Sequence, residues 1–256
     1  MRYAFTVAYD GTDFSGWQRQ TNALSVQESI EDAFFSALEK RVKITASGRT
    51  DAGVHAAGQV CHFDSVDITV PPEKIPDCIN RFLPTSVRLL KGWAAKDGFD
   101  SNRTAKRKTY RYSLYVSDKE MPLKERYATR IENAPSLSEL QAAAKLMEGE
   151  HDFKAFCASG SSVKTTVRTV YEVRIEESLS YGGRDLNVFV TGNGFLYNMV
   201  RTMTGEILDL ASGKRSKESL RKAFETGERT LLGKTMPAKG LTLMQVDYGV
   251  DEIEEE

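Results

Sequence analysis

An aspartate in a glycine-bounded segment is the side chain of this sequence best placed to do chemistry. Residues 48–55 read Gly-Arg-Thr-Asp-Ala-Gly-Val-His, with Asp51 near the middle and Arg49 two positions before it. The glycines permit a tight backbone excursion and the close approach of a ligand, and a nearby cation keeps a carboxylate ionised at neutral pH. Such a carboxylate can act as nucleophile or general base. The structural alternative, a turn residue bonded to its own backbone, is the commoner role of an aspartate near glycine.

A second glycine-bearing segment, Gly192-Asn193-Gly194-Phe195-Leu196-Tyr197, follows a predicted strand and opens a predicted helix. Tyr197 stands where a dinucleotide-binding loop has its third glycine, and no parallel β-α-β unit surrounds it, so nicotinamide and flavin binding are rejected. The helix start can still receive an anion such as an RNA phosphate; alternatively, the segment is only a flexible strand-to-helix turn. Arg201, on the same helix, is a second cation for a carboxylate.

Metal and phosphate-loop chemistry lack their motifs in this chain. The histidines are His55, His62 and His151, and the cysteines are Cys61, Cys78 and Cys157. No His-x-x-x-His occurs, nor His-x-Glu with Cys-x-x-Cys, so a zinc site and a zinc-dependent base deaminase are without ligands. The odd, scattered cysteines argue against a disulfide framework and indicate a reducing cytoplasm. If the chain is an enzyme, carboxylate chemistry with no metal and no cofactor remains.

Charge is unevenly distributed along the chain. The net charge is −1, yet five of the last six residues are acidic, so the remainder is net positive. A basic cluster, in which Tyr110 and Tyr112 are interleaved, is formed by Arg103, Lys106, Arg107, Lys108 and Arg111. Aromatic rings that stack on bases and cations that pair with phosphates suit a nucleic acid. The alternative for the cations is an exposed strand edge protected by lysines. The alternative for the tyrosines is that both lie in the core, and the pattern alone slightly favours this interpretation.

Periodicity predicts the elements that position these residues. The predicted strands are 3–9, 42–47, 59–63, 87–93, 108–116, 167–175, 186–191 and 241–246, and the predicted helices are 26–38, 74–82, 137–147, 196–210 and 217–224. Capping boxes at Ser25 and Ser136 mark two of the helix starts. A loop between two strands therefore presents Asp51. No apolar run approaches the roughly 20 residues that span a bilayer, which argues against membrane insertion.

The element order predicts an α+β fold made of two tandem split β-α-β units, similar to RNA-recognition folds. Each unit is expected to have a largely antiparallel sheet with helices on one face, and the active-site cleft is expected between the units. We place the first unit, with the aspartate loop, at 1–104, and the second at 105–250. The acidic tail, 251–256, is expected to be disordered.

Several blocks, in order along nearly the whole chain, resemble the bacterial tRNA pseudouridine synthase A family. They are Tyr9-Asp10-Gly11 with Phe14, Gly16, Trp17, Gln18 and Gln20; Gly48–His55 with Gly58–Val60; Tyr110–Tyr112; His151–Phe153 with Phe156; Gly192–Arg201; and Pro237 with Gly240-Leu241. Such agreement is far more specific than any single block.

The resemblance implies an isomerase that converts uridine to pseudouridine at positions 38–40 of the tRNA anticodon stem-loop. It implies that Asp51 is the catalytic nucleophile, that Tyr110 packs on the target base, and that Arg201 pairs with the aspartate. A cytoplasmic homodimer without a cofactor is also implied. Substrate-binding roles are expected for further residues: Arg49, His55, Arg103, Lys106, Arg107 and Lys108.

Two departures from the family pattern bear on the substrate. Ser101-Asn102 precede Arg103 where the family usually has alanine-arginine, and Met236 replaces the alanine that usually begins the segment 236–240. Both are expected where RNA contacts lie, so a divergent paralogue that modifies other RNA uridines is an alternative. A non-catalytic RNA-binding or tRNA-folding module is another, in which Asp51 is a turn residue. A third is a carboxylate glycosidase that acts on nucleosides.

Overall fold

Alternating strands and amphipathic helices make up the structure, a computed structural model that describes residues 1–65, 67–158 and 163–249. The predicted acidic tail, 251–256, lies outside the described residues. Within those ranges there are ten strands and five α-helices, and the strands pair mostly antiparallel. The predicted α+β class is confirmed. No helix in these ranges is long and apolar enough to cross a membrane.

The element bounds follow the chain. The strands are β1 (Arg2–Tyr9), β2 (Thr45–Ala46), β3 (His55–Asp64), β4 (Val87–Ala95), β5 (Arg107–Val116), β6 (Thr129–Ile131), β7 (Gly149–Asp152), β8 (Val167–Ser180), β9 (Gly183–Gly192) and β10 (Leu241–Asp247). The helices are α1 (Val26–Leu38), α2 (Ile75–Ile79), α3 (Leu137–Ala144), α4 (Met199–Ala211) and α5 (Lys217–Thr226).

The first unit comprises Met1–Lys108 and the chain from Thr242 onward. Its strands follow the order β4-β1-β3-β10, and β1 is antiparallel to both β3 and β4. Alternate side chains of β1 point into the core. There Phe5 stacks on Phe63 of β3, with 5.6 Å between the ring centroids. Phe34 of α1 meets Phe63 edge-on at 5.0 Å. This aromatic cluster fixes α1 on the sheet.

The second unit comprises Thr109–Leu241. Its strands follow the order β5-β9-β8-β7, and β6 pairs in parallel with β5. Ser136 forms the predicted capping box with Glu139, which starts α3. An aromatic cluster of Phe153, Phe156 and Phe224 packs the segment after β7 against α5, with centroid separations of 5.3 to 5.4 Å.

The last strand belongs with the first unit, whereas the expected boundary at 104/105 put it in the second. Thr242 and Leu243 of β10 pair in parallel with His55 and Ala56 of β3. A Cβ on Gly58 would lie 2.4 Å from the Met244 carbonyl oxygen, so a glycine is what lets these strands approach. The tandem relation of the two units stays a prediction.

Several predicted bounds moved for identifiable reasons. The strand expected over 42–47 is reduced to β2, and α4 begins at Met199 rather than 196 because its N-cap, Asn198, has a left-handed backbone (φ 64°). β6 and β7 were not predicted, since strands of three and four residues leave too little alternation to detect. β8 continues to Ser180 in an exposed arm without apolar alternation.

Candidate active site

The Asp51 segment lies between β2 and β3 of the first unit, and neighbouring backbone holds it on both sides. The Trp17 N–H donates to the Thr50 carbonyl at 3.0 Å, and the Val54 N–H donates to the Asp51 carbonyl at 3.1 Å. The buried Thr50 hydroxyl lies 2.7 Å from the Tyr9 hydroxyl. Asp51 itself is half-buried. Its main chain is therefore fixed before any substrate arrives.

Two glycines outside this segment, Gly11 and Gly16, allow the backbone of the turn after β1 to pack against the Asp51 segment. A Cβ on Gly11 would lie 2.0 Å from the Val54 carbonyl oxygen, and one on Gly16 would lie 2.7 Å from the Thr50 carbonyl oxygen. Gly16 also has φ +97°, which side chains rarely tolerate. Within the segment, Gly53 has φ +77°. By contrast, a Cβ on Gly48 would meet only the Lys108 Nζ, at 3.3 Å.

His55 and Tyr9 are both buried beside this loop. His55, 3% exposed, has its Nδ1 3.0 Å from the Gly11 nitrogen and 3.2 Å from the Asp10 Oδ1. Its imidazole thus links the Asp51 segment to the turn after β1. Burial raises the pKa of the Tyr9 hydroxyl, and the hydrogen bond to Thr50 opposes this shift without cancelling it. Tyr9 is therefore a neutral structural group at physiological pH.

The predicted basic residues of the first unit occupy different positions. Arg103 and Arg107 are exposed, as is Lys106, whose backbone N–H donates to the Asp247 carbonyl at 2.8 Å. Lys108 donates from Nζ to the Ser47 carbonyl at 2.5 Å, at the start of the Asp51 segment. Arg49 is exposed and donates from Nε to Gln18 at 3.0 Å. Lys108 thus contacts the residue that directly precedes the Asp51 segment.

The two tyrosines of β5, both in the second unit and both buried, differ in their contacts. Tyr112 is fully buried, and its hydroxyl lies 2.7 Å from both the Thr129 hydroxyl and the Pro237 carbonyl. Burial raises the pKa of this hydroxyl. The core interpretation holds for Tyr112. Tyr110 is 8% exposed, and its ring meets Phe195 edge-on at 5.2 Å.

Arg201 of α4, also in the second unit, is held by backbone and amide oxygens. Its Nε donates to the Met236 carbonyl at 2.7 Å, and its Nη1 donates to the Asn198 Oδ1 at 2.6 Å. The Met236 N–H in turn donates to the Arg201 carbonyl at 3.2 Å. Sequence reasoning missed Asn198, which acts through its side-chain amide oxygen, and Met236, whose backbone carbonyl leaves no mark in side-chain type.

The two departures from the family pattern contain both buried and exposed side chains, so their place at RNA contacts stays a prediction. Met236 is 0% exposed, as is Ser101. The Ser101 hydroxyl lies 2.8 Å from the His62 Nδ1 and donates to the Thr45 carbonyl at 3.0 Å. The Ser101 and Met236 side chains therefore lie inside the protein, whereas Asn102 is exposed.

A strap, residues 229–236, carries Met236 along α4. Arg215 donates to the carbonyls of three strap residues, Thr230, Leu231 and Leu232. The Gly233 N–H donates to the Glu206 Oε2 at 2.6 Å, whereas the Glu206 Oε1 is buried without a hydrogen-bond partner among the described residues. Burial raises the pKa of Glu206. The strap is thus hydrogen-bonded to a buried carboxyl group, and burial makes this group costly to ionise.

No group of three or more histidine, cysteine, aspartate or glutamate side chains in the described part of the chain is placed to hold a metal ion. The helix start at 199 has no side-chain cap, and Asn193 is bonded to β8 through its amide oxygen and the Thr169 N–H at 3.0 Å. The Gly192–Gly194 segment is thus a well-anchored strand-to-helix turn.

Comparison with known proteins adds an independent observation. A family model described as tRNA pseudouridine synthase matches residues 5–99 and 143–249. The tRNA pseudouridine synthase A of Bacillus subtilis (strain 168) is 38% identical over 251 residues, covering 97% of this chain and 99% of that protein. The protein of the same name from Syntrophotalea carbinolica is 40% identical over 247 residues, covering 94% of each. The archaeal box H/ACA sRNP Nop10-Cbf5 complex contains a chain 14% identical with a TM-score of 0.36, covering 80% of this chain and 44% of that one. This likeness is too low to carry an argument.

Gly11→Ala should destabilise the protein by about 1–3 kcal/mol or more, because its new methyl overlaps the Val54 carbonyl. Gly48→Ala is the matched control, since its methyl meets only a flexible lysine end. Urea unfolding followed by circular dichroism measures both. Equal stability of the two variants would show that the loops do not approach as closely as described.

Glu206→Gln should stabilise the protein at pH 8 and have little effect near pH 4. The folded-state pKa of Glu206 is raised above its ordinary value of 4.5, so the ionised side chain penalises the folded state once pH exceeds that range. The stability difference between wild type and variant should therefore appear as pH rises through the raised pKa. Glu172→Gln, exposed on β8, is the control. A benefit that instead grew as pH fell would contradict the assignment.

Proposed function

Because the chain belongs to the tRNA pseudouridine synthase family, we propose that it modifies uridines 38–40 of the anticodon stem-loop, with Asp51 as nucleophile and no cofactor. Family membership makes it an isomerase that converts uridine to pseudouridine in tRNA. The observation that carries the finer proposal is the placement of Asp51, half-buried in a loop whose backbone is fixed on both sides. The loop lies within the matched range 5–99.

The reaction explains why a fixed carboxylate suits the task. Isomerisation breaks the N1–C1′ bond, turns the uracil, and joins C5 to C1′, so the reacting atoms must leave the helical stack. Flipping a nucleotide out costs a few kcal/mol. One aromatic stack recovers roughly 1–3 kcal/mol, which offsets part of that cost, and phosphate contacts must supply the rest.

A carboxylate can form a covalent intermediate and still depart, as in retaining glycosidases. Three first steps suit Asp51: attack on C1′, addition to C6 of the uracil, and removal of a proton in an elimination. All three need an ionised carboxylate. We propose that Arg201 supplies the cation that keeps Asp51 ionised, and that the Met236 carbonyl and Asn198 amide aim its guanidinium.

The remaining roles are distributed over both units. Tyr110 is proposed to pack on the target base, with Phe195 supporting its ring from the edge. Phosphate contacts are proposed for the exposed Arg49, Arg103, Lys106 and Arg107. An exposed cation can neutralise a phosphate and so release the counterions that are condensed on the RNA. Lys108 and His55 are proposed to keep the aspartate segment in position for the substrate.

Ser101 and Met236 are buried, whereas Asn102 is exposed where the family usually has arginine. The surface offered to RNA therefore differs from the family pattern at Asn102, and the anticodon stem-loop is proposed on the resemblance alone. A cytoplasmic homodimer is also proposed, on the resemblance alone. No observation favours the non-catalytic module or the nucleoside glycosidase, and the next experiment separates both from the isomerase.

Asp51→Asn should abolish pseudouridine formation in purified tRNA, because the amide keeps the side-chain volume and loses the nucleophile. Carbodiimide-induced reverse-transcription stops at positions 38–40 measure the product. Asp32→Asn, exposed on α1, is the matched control and should retain full activity. Persistent stops with Asp51→Asn would make the nucleophile assignment wrong. Release of free uracil by wild type would indicate a glycosidase, since an isomerase leaves the RNA mass unchanged.

Tyr110→Phe should bind tRNA like wild type and lower turnover by roughly 10²-fold, because the hydroxyl is proposed to transfer a proton at C5 or C2′. The phenyl ring preserves the stack. Single-turnover kinetics and tRNA affinity separate the two effects. Tyr181→Phe, on a 71% exposed side chain, is the control. Unchanged turnover in Tyr110→Phe would remove the proton-transfer role and leave stacking.

A further inference from the structure

A cavity of about 490 Å³ lies within the second unit, between the turn after β7, the end of α5 and the strap. Its lining residues are Lys154, Phe156, Cys157, Ala158, Val163, Thr166, Thr202, Gly227, Arg229 and Thr235. This lining has two cations and three hydroxyl groups, and no carboxylate. We call it the Arg229 cavity. None of the residues assigned to the reaction above lines it.

Arg229 is half-buried at the wall of this cavity. Its Nη1 donates to the Leu232 carbonyl at 3.3 Å and its Nη2 to the Thr235 hydroxyl at 3.0 Å. Across the described ranges, no carboxylate lies within 4.0 Å of its guanidinium. Burial lowers the pKa of Arg229, and the charge of Glu206 opposes this shift without cancelling it.

The other polar groups surround the same space. The Thr235 hydroxyl lies 3.0 Å from the Thr202 hydroxyl, so an O–H of this pair can turn toward a ligand. The exposed Lys154 lies along Gly227, where a Cβ would come within 2.8 Å of its Cδ. Gly227 therefore leaves room for the lysine stem at the cavity wall. An arginine fork, an ammonium and hydroxyls together match the oxygens of a phosphate.

We propose that the Arg229 cavity binds a backbone phosphate of the tRNA substrate. The inference rests on the proposed function for its choice of ligand and extends that function to a surface outside the assigned residues. Arg229 and Lys154 neutralise the phosphate, and the threonine hydroxyls donate to its oxygens. A volume of about 490 Å³ exceeds a single phosphate, so part of the attached nucleotide enters with it.

A charge-removal series tests the site by tRNA binding, which needs no turnover. Lys154→Gln and Arg229→Gln should each weaken tRNA binding roughly tenfold. Each should also reduce the magnitude of the slope of log K against log salt concentration by about one, the value for one lost phosphate contact. Arg221→Gln, exposed on α5 and bonded to Glu218 and Glu225, is the matched control and should bind like wild type.

Arg229→Gln removes a hydrogen bond to the strap and could therefore affect folding. Lys154→Gln removes no side-chain hydrogen bond described in the structure, so a loss of tRNA binding by this variant is not explained by misfolding. A tRNA series with single neutral methylphosphonate linkages then identifies the phosphate. One linkage should weaken wild-type binding and have no further effect on Lys154→Gln. Wild-type affinity and salt dependence in both variants would overturn the proposal.

A thermal-unfolding experiment with inorganic phosphate tests whether the cavity binds free phosphate in place of RNA. If 20 mM phosphate raised the melting temperature of wild type but not Arg229→Gln, and tRNA binding were equal in both, the ligand would be free phosphate and the RNA assignment would be wrong. Failure of the isomerase proposal is distinguishable, because it would appear as tRNA binding without pseudouridine.

Discussion

The contact between the 11–17 turn and the Asp51 segment is the constraint on which the position of the proposed nucleophile depends. Two glycines bring main chain against main chain, the Thr50 carbonyl accepts from Trp17, and the Thr50 hydroxyl is buried against Tyr9. A loop aspartate would otherwise sample many positions, and a displacement of about 1 Å can cost a reaction roughly 10²-fold. The backbone of the Asp51 segment is therefore held in one position, and the Asp51 side chain is half-buried.

A comparable logic governs Arg201 in the second unit. Its guanidinium donates to two neutral acceptors, the Met236 carbonyl and the Asn198 amide oxygen, which fix its orientation. The strap that carries Met236 is held in turn by Arg215 and by the buried Glu206. The same strap supplies Thr235 to the Arg229 cavity. One segment therefore serves both proposed anion-binding groups of this unit.

Local pattern was enough to predict β1, α1 and the loop position of Asp51, because side-chain period and capping residues act within a few neighbours. The approach of Gly11 to Val54 and the pairing of β10 with β3 join distant parts of the chain, so no local pattern specifies them. The role of Met236 was hidden for a different reason, because its carbonyl does the holding. Burial likewise could not be read from Ser101, whose polar side chain is satisfied inside the core.

The central claim is that this chain makes pseudouridine at tRNA positions 38–40 through Asp51, and one measurement addresses it directly. Pseudouridine sites should be mapped across all tRNAs in cells that lack the protein, and in the same cells supplied with wild type or Asp51→Asn. The account predicts that stops at positions 38–40 disappear without the protein, return with wild type and stay absent with the variant. An unchanged map in the cells that lack the protein, or full restoration by Asp51→Asn, would contradict it.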